Sequence, residues 1–225
     1  YSNRGSASVL DQSGQTDTGT KWDYATQWSF HPKEMISFLF PYHFGLQNTS
    51  NLSEGAYWGF MPFTQSTHYV GLVAFIFAIL GVTLKRPERY EKIFWAITIL
   101  TIVTGFGSFF SVLYKPFYSF LPFFSKFRIP SMIYILLAIT IPILASKGLD
   151  IFLEVYEDAH KSKYIFYILG SLLVLSLLLF LVGDLFFSFS TSSDLRYDPM
   201  TISKIRSARI DLFNKGLILA ISICV

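Results

Sequence analysis

The sequence predicts an all-α, polytopic transmembrane protein with extracytoplasmic loops and interfacial helices. Three observations predict it. Of 225 residues, 52% are hydrophobic and 18% aromatic but only 15% charged, against roughly a quarter charged in a soluble domain. The apolar residues gather in runs approaching the roughly 20 residues that a helix needs to cross a bilayer. Between those runs lie polar, charged or Gly- and Pro-containing connections.

Composition also removes function classes. A formal net charge of +3 is too small to argue for nucleic acid, and Cys224, the single cysteine, allows no intrachain disulfide and no cysteine metal site. No signal-peptide pattern follows Tyr1, and the closing apolar run from Gly216 to Val225 reads as a truncated span of about 15 Å. The chain therefore reads as an internal piece of a longer polytopic protein.

Residues 1–63 form one unit by composition, a water-exposed loop carrying an interfacial helix. The Ser/Gly/Thr/Asp-rich stretch to Thr20 is loop-like, and Trp22, Tyr24, Trp28 and Phe30 then bring it down onto a membrane surface. From His31 to Phe40 an interfacial helix is expected, with Pro32 in its first turn, Glu34 complementing its positive end and Pro41 ending it. Asn48 and Asn51 match the very unspecific glycosylation pattern.

Residues 64–225 form the transmembrane helical region, with spans expected at about 64–84, 93–110, 131–146 and 164–187, and a truncated one at 216–225. The turn 85–92 is short and strongly charged, Gly105 and Gly107 loosen the second span, and Pro142 predicts a kink in the third. Residues 147–163 read as a polar loop, and 199–213 as a short surface helix. Charge counting leaves orientation open: the outer-side total exceeds the inner, while density favours 85–92 as an inside turn.

Four places could carry chemistry. Between the second and third spans, Lys126 and Arg128 stand among aromatic residues bracketed by Pro122 and Pro130, where a guanidinium can take a lipid phosphate bidentately or simply anchor the next helix. Asp184, near the end of the fourth span, is an ionisable residue at membrane depth, or a solvated residue at headgroup level. His31, Lys33 and Glu34, with Asp23 nearby, could serve as acid and base, or Glu34 could only complement a helix end. Arg196, Lys204, Arg206 and Arg209 could hold lipid phosphates or be plain solvated charge. His31, His43, His68 and His160 have no ligand spacing, so no metal site is expected.

Several motifs then carry a resemblance. Trp28-Ser-Phe-His-Pro-Lys-Glu34, Phe40-Pro-Tyr-His-Phe-Gly45, Tyr57-Trp-Gly-Phe-Met-Pro-Phe63 and Pro122-Phe-Phe-Ser-Lys-Phe-Arg-Ile-Pro130 occur in order. Together they resemble the bacterial YfhO-like membrane protein family over roughly residues 24–150. Members of that family are similar to C-type glycosyltransferases, which move sugar from a polyprenyl-phosphate carrier on the outer face of the inner membrane to a cell-envelope acceptor. The resemblance implies that the 1–63 and 111–130 loops face outside, which also settles orientation. It implies Arg128 and Lys126 against the carrier phosphate, and Trp28, His31, Glu34, Tyr57 and Trp58 along an acceptor or sugar surface. The family's catalytic carboxylate lies ahead of the matched region, so Asp23 and Glu34 are not put in that role. A divalent cation in the full-length protein is compatible with the resemblance. A non-catalytic scaffold docking envelope proteins is the alternative.

Overall fold

The computed structural model describes residues 22–45, 56–61, 68–121, 124, 129–155 and 159–225. Among them all regular structure is helical: α1 Trp22–Ala25, α2 Leu72–Leu84, α3 Arg89–Gly105, α4 Ser111–Phe120, α5 Leu137–Val155, α6 Ala159–Phe186 and α7 Pro199–Cys224. Short 3-10 segments at Pro32–Phe38, Gly107–Phe110, Pro130–Leu136 and Ser192–Arg196 turn the chain between them. The helix starts follow local chemistry. Pro32, Pro130 and Pro199 each open a helical segment, where a missing N–H costs nothing. The Asp198 carboxylate accepts from the Thr201 N–H at 3.0 Å, and Glu91 reaches back to the Glu88 N–H at 2.6 Å to secure the start of α3.

Two continuous helical segments, Pro130–Val155 and Lys163–Gly183, are long and apolar enough to cross a membrane. Arg89–Gly105 and Gly107–Phe120 pass that test only as a pair, bent by 111°, and α2 is a shorter apolar helix.

The helix ends differ from the sequence reading in several places. The first run becomes helical only at Leu72, after Gly71 at a φ of +96°, and α6 begins at Ala159, inside the stretch expected as a loop. The second apolar run does not continue straight through residue 110: it stops at Gly105, and Gly107 takes the left-handed φ of +51° that turns the chain. A Cβ at Gly107 would also run into the Ser29 side chain and come within 2.9 Å of Pro130. The third run does not end at 146. It continues to Val155, because Lys147 lies toward Glu88 at 3.8 Å while Ile151 and Phe152 keep an apolar face on α2. The surface helix and the truncated span, expected as separate elements, are one helix, α7. Gly216 does not break it; the Pro41 backbone packs where a Cβ would stand.

Packing divides into two apolar clusters. One joins Phe40, Leu72, Ile76, Leu80, Phe189, Phe213 and Leu217, tying α2 to α7; the other joins Phe30, Phe38, Met61, Tyr134, Leu137 and Ile141 around α5. α2 packs closely on α5, where an added Cβ on Gly81 would stand 3.0 Å from the Gly148 Cα. Between α3 and α5, Thr98 donates to Thr140 at 2.9 Å, satisfying both hydroxyls inside an apolar interface. Segment 28–44 connects the two clusters, with Phe30 and Phe38 in one and Phe40 in the other. Where the interfacial helix is expected, Pro32–Phe38 forms a 3-10 segment with Glu34, Ser37 and Phe38 inside and Pro32, Lys33 and Met35 exposed.

Candidate functional site

Glu34 is the centre of the site. Its carboxylate is 2% exposed. The Tyr57 hydroxyl lies 3.0 Å from both its oxygens, and the Phe60 N–H donates to one of them at 2.8 Å. The Tyr57 oxygen in turn accepts from the Met61 N–H at 3.1 Å. Burial raises the Glu34 pKa, and the Phe60 and Tyr57 donors oppose that rise. The phenol of Tyr57 is itself pushed up, first by burial and then by the carboxylate beside it. The carboxylate is therefore held by neutral donors, with its oxygens committed to positioning residues 57–61.

His31 caps the turn that carries Glu34, its Nδ1 accepting from the Lys33 N–H at 3.1 Å. Its ring stacks on Phe60 with centroids 3.8 Å apart, and Phe109 meets it edge-on at 4.6 Å. Partial burial, then the Lys33 charge, lower the His31 pKa. Phe60 and Phe109 are exposed, so this stack presents aromatic faces outward. Segment 28–30 is fixed behind it: the Phe30 N–H donates to Gly105 O at 3.0 Å, and Ser29 Oγ accepts from the Ser108 N–H at 2.9 Å.

The other end of segment 56–61 meets a second buried charge. Arg209, 2% exposed on α7, donates to Ala56 O at 2.9 Å and Phe189 O at 3.0 Å, and grips Asp194 through two bonds of 2.6 and 3.2 Å. Asp194 also accepts from the Thr191 N–H at 2.7 Å. Phe189 holds a left-handed φ of +49°, a strained conformation for a bulky residue, and the guanidinium bond to its carbonyl helps to hold it. Arg209 is therefore an internal strut and not a lipid-phosphate ligand, whereas Arg196, Lys204 and Arg206 remain exposed.

His43 is fully buried, ringed by Phe44, Phe187 and Phe213 with centroids 4.5 to 4.9 Å away and by Trp58 at 5.9 Å. Among the described residues neither imidazole nitrogen has a hydrogen-bond partner, and nor has the Trp58 indole nitrogen. Desolvation lowers the His43 pKa to about 3, so the ring is neutral.

Of the residues predicted for a sugar or acceptor surface, His31, Glu34 and Tyr57 come together. Trp58 belongs to the same segment but turns its ring toward His43, and its backbone N–H donates to Phe44 O at 3.1 Å. Trp28 is 2% exposed and lies inside the fold. Lys126, Arg128, Asn48, Asn51 and the side chain of Asp184 lie outside the described residues. Sequence reasoning missed Asp194, His43, Phe60 and Phe109. A lone aspartate and a lone histidine in aromatic surroundings carry no spacing signal that would single them out. Among the described residues no group of three or more His, Cys, Asp or Glu side chains converges as a metal site. Comparison with protein-family models, with curated proteins and with solved structures finds no match for this chain.

Proposed function

We propose that this chain is the outer-face and transmembrane part of a bacterial inner-membrane protein that transfers sugar from a polyprenyl-phosphate carrier to an envelope acceptor. One observation carries the reading: two of the separated motifs that suggested it meet at Glu34, whose carboxylate binds the Tyr57 hydroxyl and the Phe60 N–H. Phe44 pairs with Trp58, and Gly107 lies against both Ser29 and Pro130. The site then holds and orients, with His31, Phe60 and Phe109 offering ring faces to a sugar or acceptor and Arg128 with Lys126 compensating the carrier phosphate. The proton-abstracting carboxylate belongs to another part of the protein.

The test is transfer by the full-length protein from defined polyprenyl-phosphate sugars. Arg128→Ala should lose about 2–3 kcal/mol of phosphate binding, some 30- to 150-fold in carrier affinity, and Arg128→Lys should retain part of it. Normal transfer by Arg128→Ala would sink the assignment of that residue. A second reading, a non-catalytic scaffold, is favoured by the full engagement of the Glu34 carboxylate, which is held and not presented. Inertness of folded protein across a broad carrier panel would decide for it.

A further inference from the structure

The bend after α3 creates a surface that the transferase reading does not use. Helix α4 leaves the axis of α3 at 111°, so a spanning α3 directs α4 along the membrane surface. Its two faces differ sharply. Tyr114, Phe117 and Tyr118 turn inward: Trp22 meets Tyr114 at 5.8 Å and Tyr118 at 5.3 Å, and Phe124 packs on Tyr114 and Phe117. The opposite face carries Val112, Pro116 and Phe120, all exposed, with Val112 at 80% and Phe120 at 86%. These residues recur four positions apart and form one apolar stripe. On its flank Lys115 extends over the Trp22 ring, 5.7 Å from the centroid, as an amphipathic side chain does when its charge is kept at a polar boundary.

Water is a poor partner for such a stripe, and the chain itself identifies a better one. α3 enters the turn as an apolar helix of 17 residues, and the 3-10 segment at Pro130 opens the longer of the two continuous segments suited to the bilayer. The connection is therefore tied at its far end to a segment suited to the bilayer and at its near end to an apolar helix, so α4 is held at the bilayer surface by covalent continuity.

We propose that α4 is an in-plane interfacial helix whose Val112–Pro116–Phe120 stripe is immersed among the acyl chains of the lipid leaflet. The aromatic layer of Trp22, Tyr114 and Tyr118 lies above it. The inference is independent of sugar transfer: it concerns where a loop rests, whatever chemistry the protein performs.

Spin labelling of the full-length protein in phosphatidylcholine vesicles containing phosphatidylglycerol tests this. In a Cys224→Ser background, nitroxides are placed singly by Val112→Cys, Lys115→Cys and Phe120→Cys. The expected result is that labels at 112 and 120 relax several-fold more with oxygen than with a water-soluble nickel chelate, and that 115 shows the reverse preference. The two stripe positions lie about 12 Å apart along the helix. An in-plane helix gives them depths agreeing within a few ångströms, while a re-entrant helix separates them by most of that length. Strong nickel relaxation at 112 and 120 would overturn the proposal in favour of a solvated face. Shielding from both reagents would overturn it in favour of a protein partner, and a steep depth difference in favour of re-entry. The labelled positions are exposed, and unchanged helical circular dichroism confirms that each variant is folded.

Discussion

Two carboxylates are buried against the two ends of one short segment, and they are compensated in opposite ways. Asp194 faces a guanidinium and shares a network of five bonds with Arg209, Thr191, Phe189 and Ala56. Glu34 faces no cation among its hydrogen-bond partners, only a phenol and a backbone N–H. A charged pair removed from water is stable only when every lone pair and proton is satisfied, whereas a carboxyl held by neutral donors can relieve its burial by taking up a proton. The Arg209 end is thus a fixed strut, and the Glu34 end is the one that responds to pH. His43, buried with no hydrogen-bond partner for either nitrogen among the described residues, responds in the opposite sense.

The sharpest way to break this contrast is Arg209→Ala. It strands a buried aspartate and two backbone carbonyls, so stability should fall by about 3–5 kcal/mol in thermal unfolding of the purified protein. The double variant Arg209→Met with Asp194→Leu should recover much of that loss. A double variant as unstable as the single one would mean that the bonds to Ala56 and Phe189, not the ion pair, hold α7.

The next effect is acid sensitivity at His43. Its folded pKa of about 3 lies below the unfolded value of about 6.5. Between those values the unfolded chain binds the extra proton, so stability falls as pH drops below 6.5. At pH 5 the loss is about 2 kcal/mol. His43→Phe should flatten this acid limb in unfolding curves from pH 7 to 4; an unchanged limb would place the sensitivity elsewhere.

Glu34 predicts the complementary limb. Its raised folded pKa means that the folded state binds the extra proton, so its contribution to stability is present below about 4.5 and is lost as pH rises through the folded value. Glu34→Gln should remove that decline and leave the acid limb intact. The smallest change is Tyr57→Phe, which deletes one donor to Glu34 and one acceptor for the Met61 N–H. About 1–2 kcal/mol should be lost, with the Glu34 limb shifted to higher pH because a group favouring the carboxylate is gone. A shift to lower pH would contradict the role given to that phenol.

Much of the helical order was legible in residues 64–225, because long apolar runs between charged connections have few alternatives in a bilayer. Where helices ended was less legible. Lys147 reads as a stop in a hydropathy profile, yet it sits on a helix that continues because Ile151 and Phe152 find partners on α2. Asn214, Lys215 and Gly216 likewise read as the end of a polar connection, but the chain remains helical through them to meet Pro41.

The candidate site divides along the same line. His31, Glu34 and Tyr57 could be named from the sequence because they stand in short aromatic motifs beside prolines and glycines. Their arrangement could not, since Glu34 and Tyr57 are brought together by packing and not by a spacing on one helix. Arg209 shows the limit most plainly: in the sequence it is one of several cations near a membrane, and only the buried Asp194 across a connector separates it from Arg206.

The sequence by itself determined the class of this protein: apolar runs rich in Leu, Ile and Phe commit the chain to helices that seek a nonpolar environment. Only the tertiary structure decided which ionisable side chains are buried and which aromatic faces remain open. Burial is a property of neighbours far along the chain, and each charge here is held, neutralised or exposed according to those neighbours.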